Sequence, residues 1–152
     1  MTTLEVLQHH LRALEIGDWD TVNSYISDSY KATGVIPFPI SLFIKLRKKD
    51  ALTMHKARKI ALPDFKFNES VLESDDEKIK IEVNITGTQT GVIDYRGILR
   101  GIPVVEPTGK FVKLNPEYFT YFVKNGKIEK VEIDIPKNAG VKGLVKAVTE
   151  NI

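Results

Sequence analysis

The amino-acid sequence predicts an α+β fold in which N-terminal helices pack on a strongly curved antiparallel sheet. Three observations carry this expectation. Apolar residues recur at helical spacing through the first 62 residues, the period changes to two after Pro63, and an Asn-Gly pair sits between two apolar-rich runs near the C-terminal end. Helices first and a strand meander afterwards is the order of an α+β protein, not of a doubly wound βαβ fold.

Thr2-x-x-Glu5 reads as a capping box, and Leu4, Leu7, Leu11 and Leu14 then place one apolar stripe on a helix over about residues 3–16. Gly17 stops it. Asp18 caps a short second helix with Trp19, Val22, Tyr25 and Ile26 on its apolar side, which makes an αα-hairpin. From Tyr30 to Phe43, Gly34, Pro37 and Pro39 interrupt an apolar stretch, so a short strand near 29–34 followed by a loop is expected. Asp50 is the candidate cap of a third helix of about a dozen residues, with Ala51, Met54, Ala57 and Ala61 on one face and lysines on the other, closed by Leu62-Pro63.

Beyond Pro63, Phe65 and Phe67 alternate with polar residues, Ser74-Asp75-Asp76-Glu77 forms a turn, and Ile79, Ile81, Val83 and Ile85 alternate with polar neighbours. A long connection with Gly91, Gly97, Gly101, Pro103 and Pro107 leads to a strand over about 110–123. Asn125-Gly126 then turns the chain into a strand from Ile128 to Ile135, because both residues tolerate positive φ. An amphipathic segment from Val141 to Val148 follows.

A length of 152 residues suits one domain, 1–152, and 42% hydrophobic with 28% charged residues is ordinary globular composition. The absence of cysteine excludes disulfides, thiolate nucleophiles and cysteine-held metals. Neither a leader pattern nor a membrane-length apolar run is visible, so the cytoplasm is the expected location, with no membrane partner. A net charge of +2 gives no basis for nucleic-acid binding. Residues 45–59 hold seven Lys/Arg against one Asp, which reads as a solvated helix face or, alternatively, a polyanion-binding surface.

Gly17-Asp18-Trp19-Asp20, Leu62-Pro63-Asp64-Phe65-Lys66-Phe67 and Thr86-Gly87-Thr88-Gln89-Thr90-Gly91 occur in that order, followed by Gly101-Ile102-Pro103 with Pro107-Thr108-Gly109-Lys110, and by Asn125-Gly126-Lys127-Ile128. With this set of motifs the chain resembles the SnoaL-like polyketide cyclases, within the cystatin-like fold shared by nuclear transport factor and ketosteroid isomerase. The resemblance implies a cone-shaped fold, a deep pocket between sheet and helices, frequent homodimers and cofactor-independent general acid/base chemistry. It departs from the pattern in Val104-Val105-Glu106, in the length of 91–100, and in Val35-Ile36-Pro37-Phe38-Pro39, which lacks an acid or histidine.

The resemblance implies a catalytic acid near the end of the last long strand, where Asp134 is the nearest match. Alternation opposes it, since Val131, Ile133 and Ile135 form the apolar face; a bulge before Pro136 would turn Asp134 inward. Glu117, which enters an apolar strand after Pro116, is the second catalytic candidate, with a strand-edge lysine pair as the alternative. Tyr30, Tyr118, Tyr121 and His10 are candidate ligand contacts, with core or boundary positions as the alternative. Asp94-Tyr95-Arg96 holds an acid, a phenol and a guanidinium, for which a loop salt bridge is the bland explanation. No metal site and no cofactor are expected. On the strand from Glu117 to Val123, Phe119 and Tyr121 share one face while Tyr118, Thr120 and Phe122 share the other, so both faces want burial. A homodimer packed sheet on sheet is therefore expected, each cone holding a small apolar molecule. The rival expectation is a non-enzymatic dimeric interaction module with a filled cone.

Overall fold

Thr2 and Glu5 form the expected capping box at the start of α1 (Thr3–Ile16), the Thr2 hydroxyl accepting from the Glu5 N–H at 3.1 Å. In this computed structural model residues 1–34 and 46–150 are described. α1 buries Leu7, Leu11 and Leu14, and α2 (Trp19–Ser24) follows with Asp18 as its cap. The chain then enters β1 (Ile26–Thr33), which begins earlier than the sequence pattern indicates. The expectations for Val35–Pro39 lie outside the described residues.

β2 (Leu46–Arg47) pairs with β1 and runs directly into α3 (Lys48–Ala61). Arg47, not Asp50, occupies the cap position, with no side-chain cap bond. Asp50 lies inside the first turn, where its carboxylate complements the helix dipole.

The remaining strands are β3 (Ser70–Ser74), β4 (Lys78–Val83), β5 (Thr86–Thr88), β6 (Phe111–Lys113), β7 (Glu117–Lys124) and β8 (Lys127–Asp134), followed by α4 (Gly140–Thr149). The main sheet has the order β2-β1-β8-β7-β4-β3, and β5 and β6 form a small second sheet. It is mixed, not purely antiparallel as the sequence suggests, because β1 runs parallel to β8. A parallel neighbour needs a long crossover, and no local turn signal announces one between strands so distant in sequence.

The expected strand over 110–123 is bent at Leu114-Asn115-Pro116 into β6 and β7, since Pro116 has no N–H to donate to a ladder. The Asp75 carboxylate accepts from the Glu77 and Lys78 N–H groups and closes the first turn. Asn125 and Gly126, at φ 52° and 73°, close the last hairpin.

Curvature comes from irregular register. Between β7 and β8 the pairing passes from Phe122↔Lys130 to Val123↔Ile128, so Glu129 is an extra residue on β8. That bulge resets alternation and allows both Ile128 and Val131 to face inward, where both are buried. The inner face of the sheet, with Tyr30, Ile79, Ile81, Phe119, Tyr121 and Val131, packs toward α1, α3 and α4 as one core cluster.

Two polar staples fix the helices to the sheet. Buried Glu15 accepts the Phe67 N–H at 2.8 Å and pairs with Arg12 at 3.2 Å, while Arg12 also reaches Glu69. Lys59 donates to the Glu15 and Pro63 carbonyls, joining the ends of α1 and α3.

Candidate functional site

Between the inner sheet face and the helices lies a cavity of about 1130 Å³. It is larger than most small-molecule sites, which span roughly 300–1,000 Å³. Its walls are mainly apolar, with Phe67, Ile85, Leu114, Phe119 and Leu144 among them. Among the described residues the cavity is lined by the polar side chains of Glu117, Arg58, His10, His55, Tyr30, Tyr95 and Tyr121, with Arg100, Asp134, Lys137 and Lys142 also bordering it.

Glu117 begins β7 across from Val83, and the alternation of that strand puts it on the inner face with Phe119 and Tyr121. It is only 5% exposed. No side-chain hydrogen bond or ion pair to its carboxyl occurs among the described residues. Loss of hydration pushes its pKa up from 4.5 to about 7, and the nearby Arg58 charge only partly opposes this. Such a carboxyl exchanges its proton near neutrality, as acid/base catalysis requires.

Arg58 reaches the cavity from α3. Its guanidinium lies 4.7 Å from the centre of the Phe65 ring and 5.0 Å from that of Phe67, so two aromatic faces hold it. Its Nη2 donates to His55 Nδ1 at 2.7 Å, which leaves the His55 proton on Nε2, and its Nε has no partner among the described residues. Part of both side chains stays uncovered even though they lie deep in the cone, because they line the cavity. Desolvation, with Arg58 and His10 adding to it, holds His55 well below its usual range and therefore neutral. Burial lowers His10 to about 4, with Arg58 acting in the same direction. Burial raises Tyr95 to about 12 and pushes Tyr30 and Tyr121 higher still, so all three phenols remain hydrogen-bond donors at neutral pH.

Of the residues singled out from sequence, Glu117, Tyr30, Tyr121 and His10 converge on the cavity. His10, given a boundary position as the alternative, is 3% exposed. Tyr118 and Asp134 do not converge with them. Tyr118 is paired with Asp134 on the outer face, beside Lys80, Thr120 and Glu132, around a shallow depression of about 440 Å³. The register from Tyr118↔Asp134 to Phe122↔Lys130 is unbroken, and the β8 bulge lies at the opposite end from Pro136. The regular pairing therefore gives Asp134 no inward rotation; it stays exposed on the outer depression, although it also borders the cavity.

Sequence reading missed Arg58 and His55, and weighed Tyr95 only within Asp94-Tyr95-Arg96. The lysines of 45–59 mask an inner face of α3 on which Ala51, His55, Arg58 and Leu62 recur at helical spacing. In the long connection, Ile93 and Tyr95 are buried and alternate with Asp94 and Arg96. Asp94 and Arg96 form the local salt bridge at 2.8 Å, which holds Asp94 down at about 2. Gln89 anchors this connection: its Oε1 accepts from the Thr108 N–H and hydroxyl, and its Nε2 donates to the Gly91 and Glu106 carbonyls. Among the described residues no group of acids and histidines is arranged to hold a metal, and no helix is long and apolar enough to cross a membrane.

No family model matches the sequence, and no curated protein matches it. Solved structures do match. A SnoaL-like polyketide cyclase from Agrobacterium tumefaciens is 19% identical with a TM-score of 0.65, over 95% of this chain and 98% of that one. AclR from Streptomyces galilaeus, a candidate hydroxylase, is 14% identical with a TM-score of 0.68, over 95% of this chain and 78% of that one. A nuclear transport factor-like protein of unknown function from Burkholderia pseudomallei is 13% identical with a TM-score of 0.60, over 97% of each chain. The chain thus has the α+β, cystatin-like fold found in SnoaL-like polyketide cyclases. At these identities the likeness establishes the fold, and the site must decide the chemistry.

Proposed function

We propose that this chain binds a small apolar, carbonyl-bearing molecule and acts on it as a cofactor-independent cyclase or isomerase. The observation that carries this is Glu117: a carboxyl without a protein hydrogen-bond partner among the described residues, on the wall of an apolar cavity, titrating near neutrality. In the proposed step the Glu117 carboxylate takes a proton from the carbon next to the carbonyl. The C–H electron pair becomes a C=C bond and the carbonyl π pair moves onto oxygen, which a phenol of Tyr30, Tyr95 or Tyr121 stabilises by donating a hydrogen bond. The enolate carbon then attacks a second carbonyl to close a ring, the resulting alkoxide recovering the proton from Glu117, or the enolate takes that proton back at another carbon to complete an isomerisation. Proton transfer of this kind between a carboxyl and carbon is general acid/base chemistry and is proposed to proceed without a cofactor.

The test is hydrogen–deuterium exchange at the α-carbon of 2-tetralone in D₂O, followed by NMR. Exchange faster than buffer, lost in Glu117→Gln and retained in Asp134→Asn, is expected. Equal rates for wild type and Glu117→Gln would remove Glu117 from the reaction.

The half-exposed outer residues Tyr118, Thr120 and Phe122 of β7 are proposed to be covered by a second copy of the chain. A monomer mass that does not change with concentration in ultracentrifugation would refute that assembly. Each copy is proposed to fold as one domain.

A further inference from the structure

We propose that the molecule taken into the cavity carries a carboxylate on an apolar ring body, and that Arg58 and His55 seat that carboxylate. The inference rests on the reading of the cavity as a small-molecule site and names the class of molecule it takes.

Arg58 presents a cationic side chain to an apolar cavity, and no carboxylate forms an ion pair with it among the described residues. The sequence outside the described residues, VIPFPISLFIK at 35–45 and Asn-Ile at 151–152, contains no Asp or Glu that would supply one. A cation deep in protein without a counter-charge is costly, so such a site favours an incoming anion. Glu117 is the one buried acid on the described cavity wall, and among the described residues it makes neither an ion pair nor a hydrogen bond with Arg58.

The guanidinium is also held in place before anything binds. Phe65 and Phe67 flank it, and His55 Nδ1 takes its Nη2, so little side-chain freedom remains to be lost. Because Arg58 only donates, His55 is fixed as the tautomer that carries hydrogen on Nε2 and offers a second donor. Arg58, His55 and the three phenols make the described cavity wall rich in donors, against Glu117 as its one buried carboxyl. The complement to that imbalance is a ligand with acceptor oxygens and negative charge. The apolar walls from Ile85, Leu114 and Phe119 suit a ring body.

The experiment compares 2-naphthoate with 2-naphthamide by isothermal titration at pH 7.5, on the whole chain. These probes share a ring body and differ in charge. Naphthoate is expected to bind about tenfold or more tightly than the amide, the scale of a charge-assisted hydrogen bond. That preference should vanish in Arg58→Met and persist in weakened form in Arg58→Lys, which keeps the charge but loses the planar fork. Should Arg58→Met fail to fold, the wild-type ratio and Arg58→Lys still decide. Equal binding of both probes would overturn the carboxylate assignment and leave the small-molecule reading standing. A preference kept in Arg58→Met but lost in Arg100→Met or in Lys137→Met/Lys142→Met, at residues that also line the cavity, would assign it to those cations and overturn the role of Arg58. Binding of neither probe would overturn both readings.

Discussion

Glu117 and Tyr118 are adjacent in the chain and serve opposite faces of the sheet: Glu117 is buried in the cavity wall, and Tyr118 stands across from Asp134 on the outer surface. One residue of register separates a group that faces the cavity from one that does not.

Glu117 sets a pH dependence of stability with a definite sign. Its folded pKa of about 7 lies above the ordinary 4.5, so the folded state holds the proton more tightly than the unfolded chain. Its contribution is fully present below pH 4.5 and is lost as pH rises through 7. Glu117→Gln should therefore be more stable than wild type at pH 8.5, by up to roughly 3 kcal/mol. Urea melts at pH 5 and pH 8.5 check this; a pH-independent difference between the two proteins would contradict it.

His10 acts with the opposite sign. Its pKa falls to about 4 from 6.5, so its contribution is complete above pH 6.5 and disappears as pH falls toward 4. His10→Leu should flatten the loss of stability between pH 6.5 and 4.5, measured by denaturant midpoint. A slope as steep as that of wild type would show that other groups control acid sensitivity.

Removing Glu15 leaves the buried Phe67 N–H without its acceptor and breaks the tie between α1 and the first residues of the sheet. Glu15→Ala should cost about 2 kcal/mol, typical of a buried charge-assisted hydrogen bond. Arg12→Ala should cost less, since Arg12 is 53% exposed. Equal costs in equilibrium unfolding would point to the ion pair, not the backbone contact, as the stabilising element.

Gly91 approaches α3 so closely that a Cβ there would fall 1.7 Å from the Ile60 carbonyl oxygen, whereas at Gly109 nothing lies within 4 Å. Gly91→Ala must displace backbone and should lower the melting temperature more than Gly109→Ala, whose cost of about 1 kcal/mol comes from positive φ alone. Similar melting temperatures for the two variants would mean that the connection can shift away from α3 freely.

The parts of the fold that sequence made visible are those governed by local rules. The capping box at Thr2 and Glu5, the Asn125-Gly126 turn and the alternation along β4 each depend on a few neighbouring residues, and each stands where expected. The parallel pairing of β1 with β8 depends on residues about a hundred positions apart, and no period encodes it. The site divides along the same line. Alternation placed Asp134 outside, and β8 keeps that parity at its end. Arg58 was hidden because a charged side chain within a basic run reads as solvated, and only the aromatic faces of Phe65 and Phe67, supplied by a later segment, make its position inside the cone tenable.

Gln89 binds both ends of the connection that carries Tyr95 into the cavity wall: Gly91 at its start, Glu106 and Thr108 at its end. The stretch between those anchors is thereby a closed cassette. A segment of different length or chemistry inserted between 92 and 104 would rebuild that wall while Gln89 and the sheet beneath it remain as they are. The lining of the cavity can thus diverge by exchange of one stretch, without any change to the strands that present Glu117.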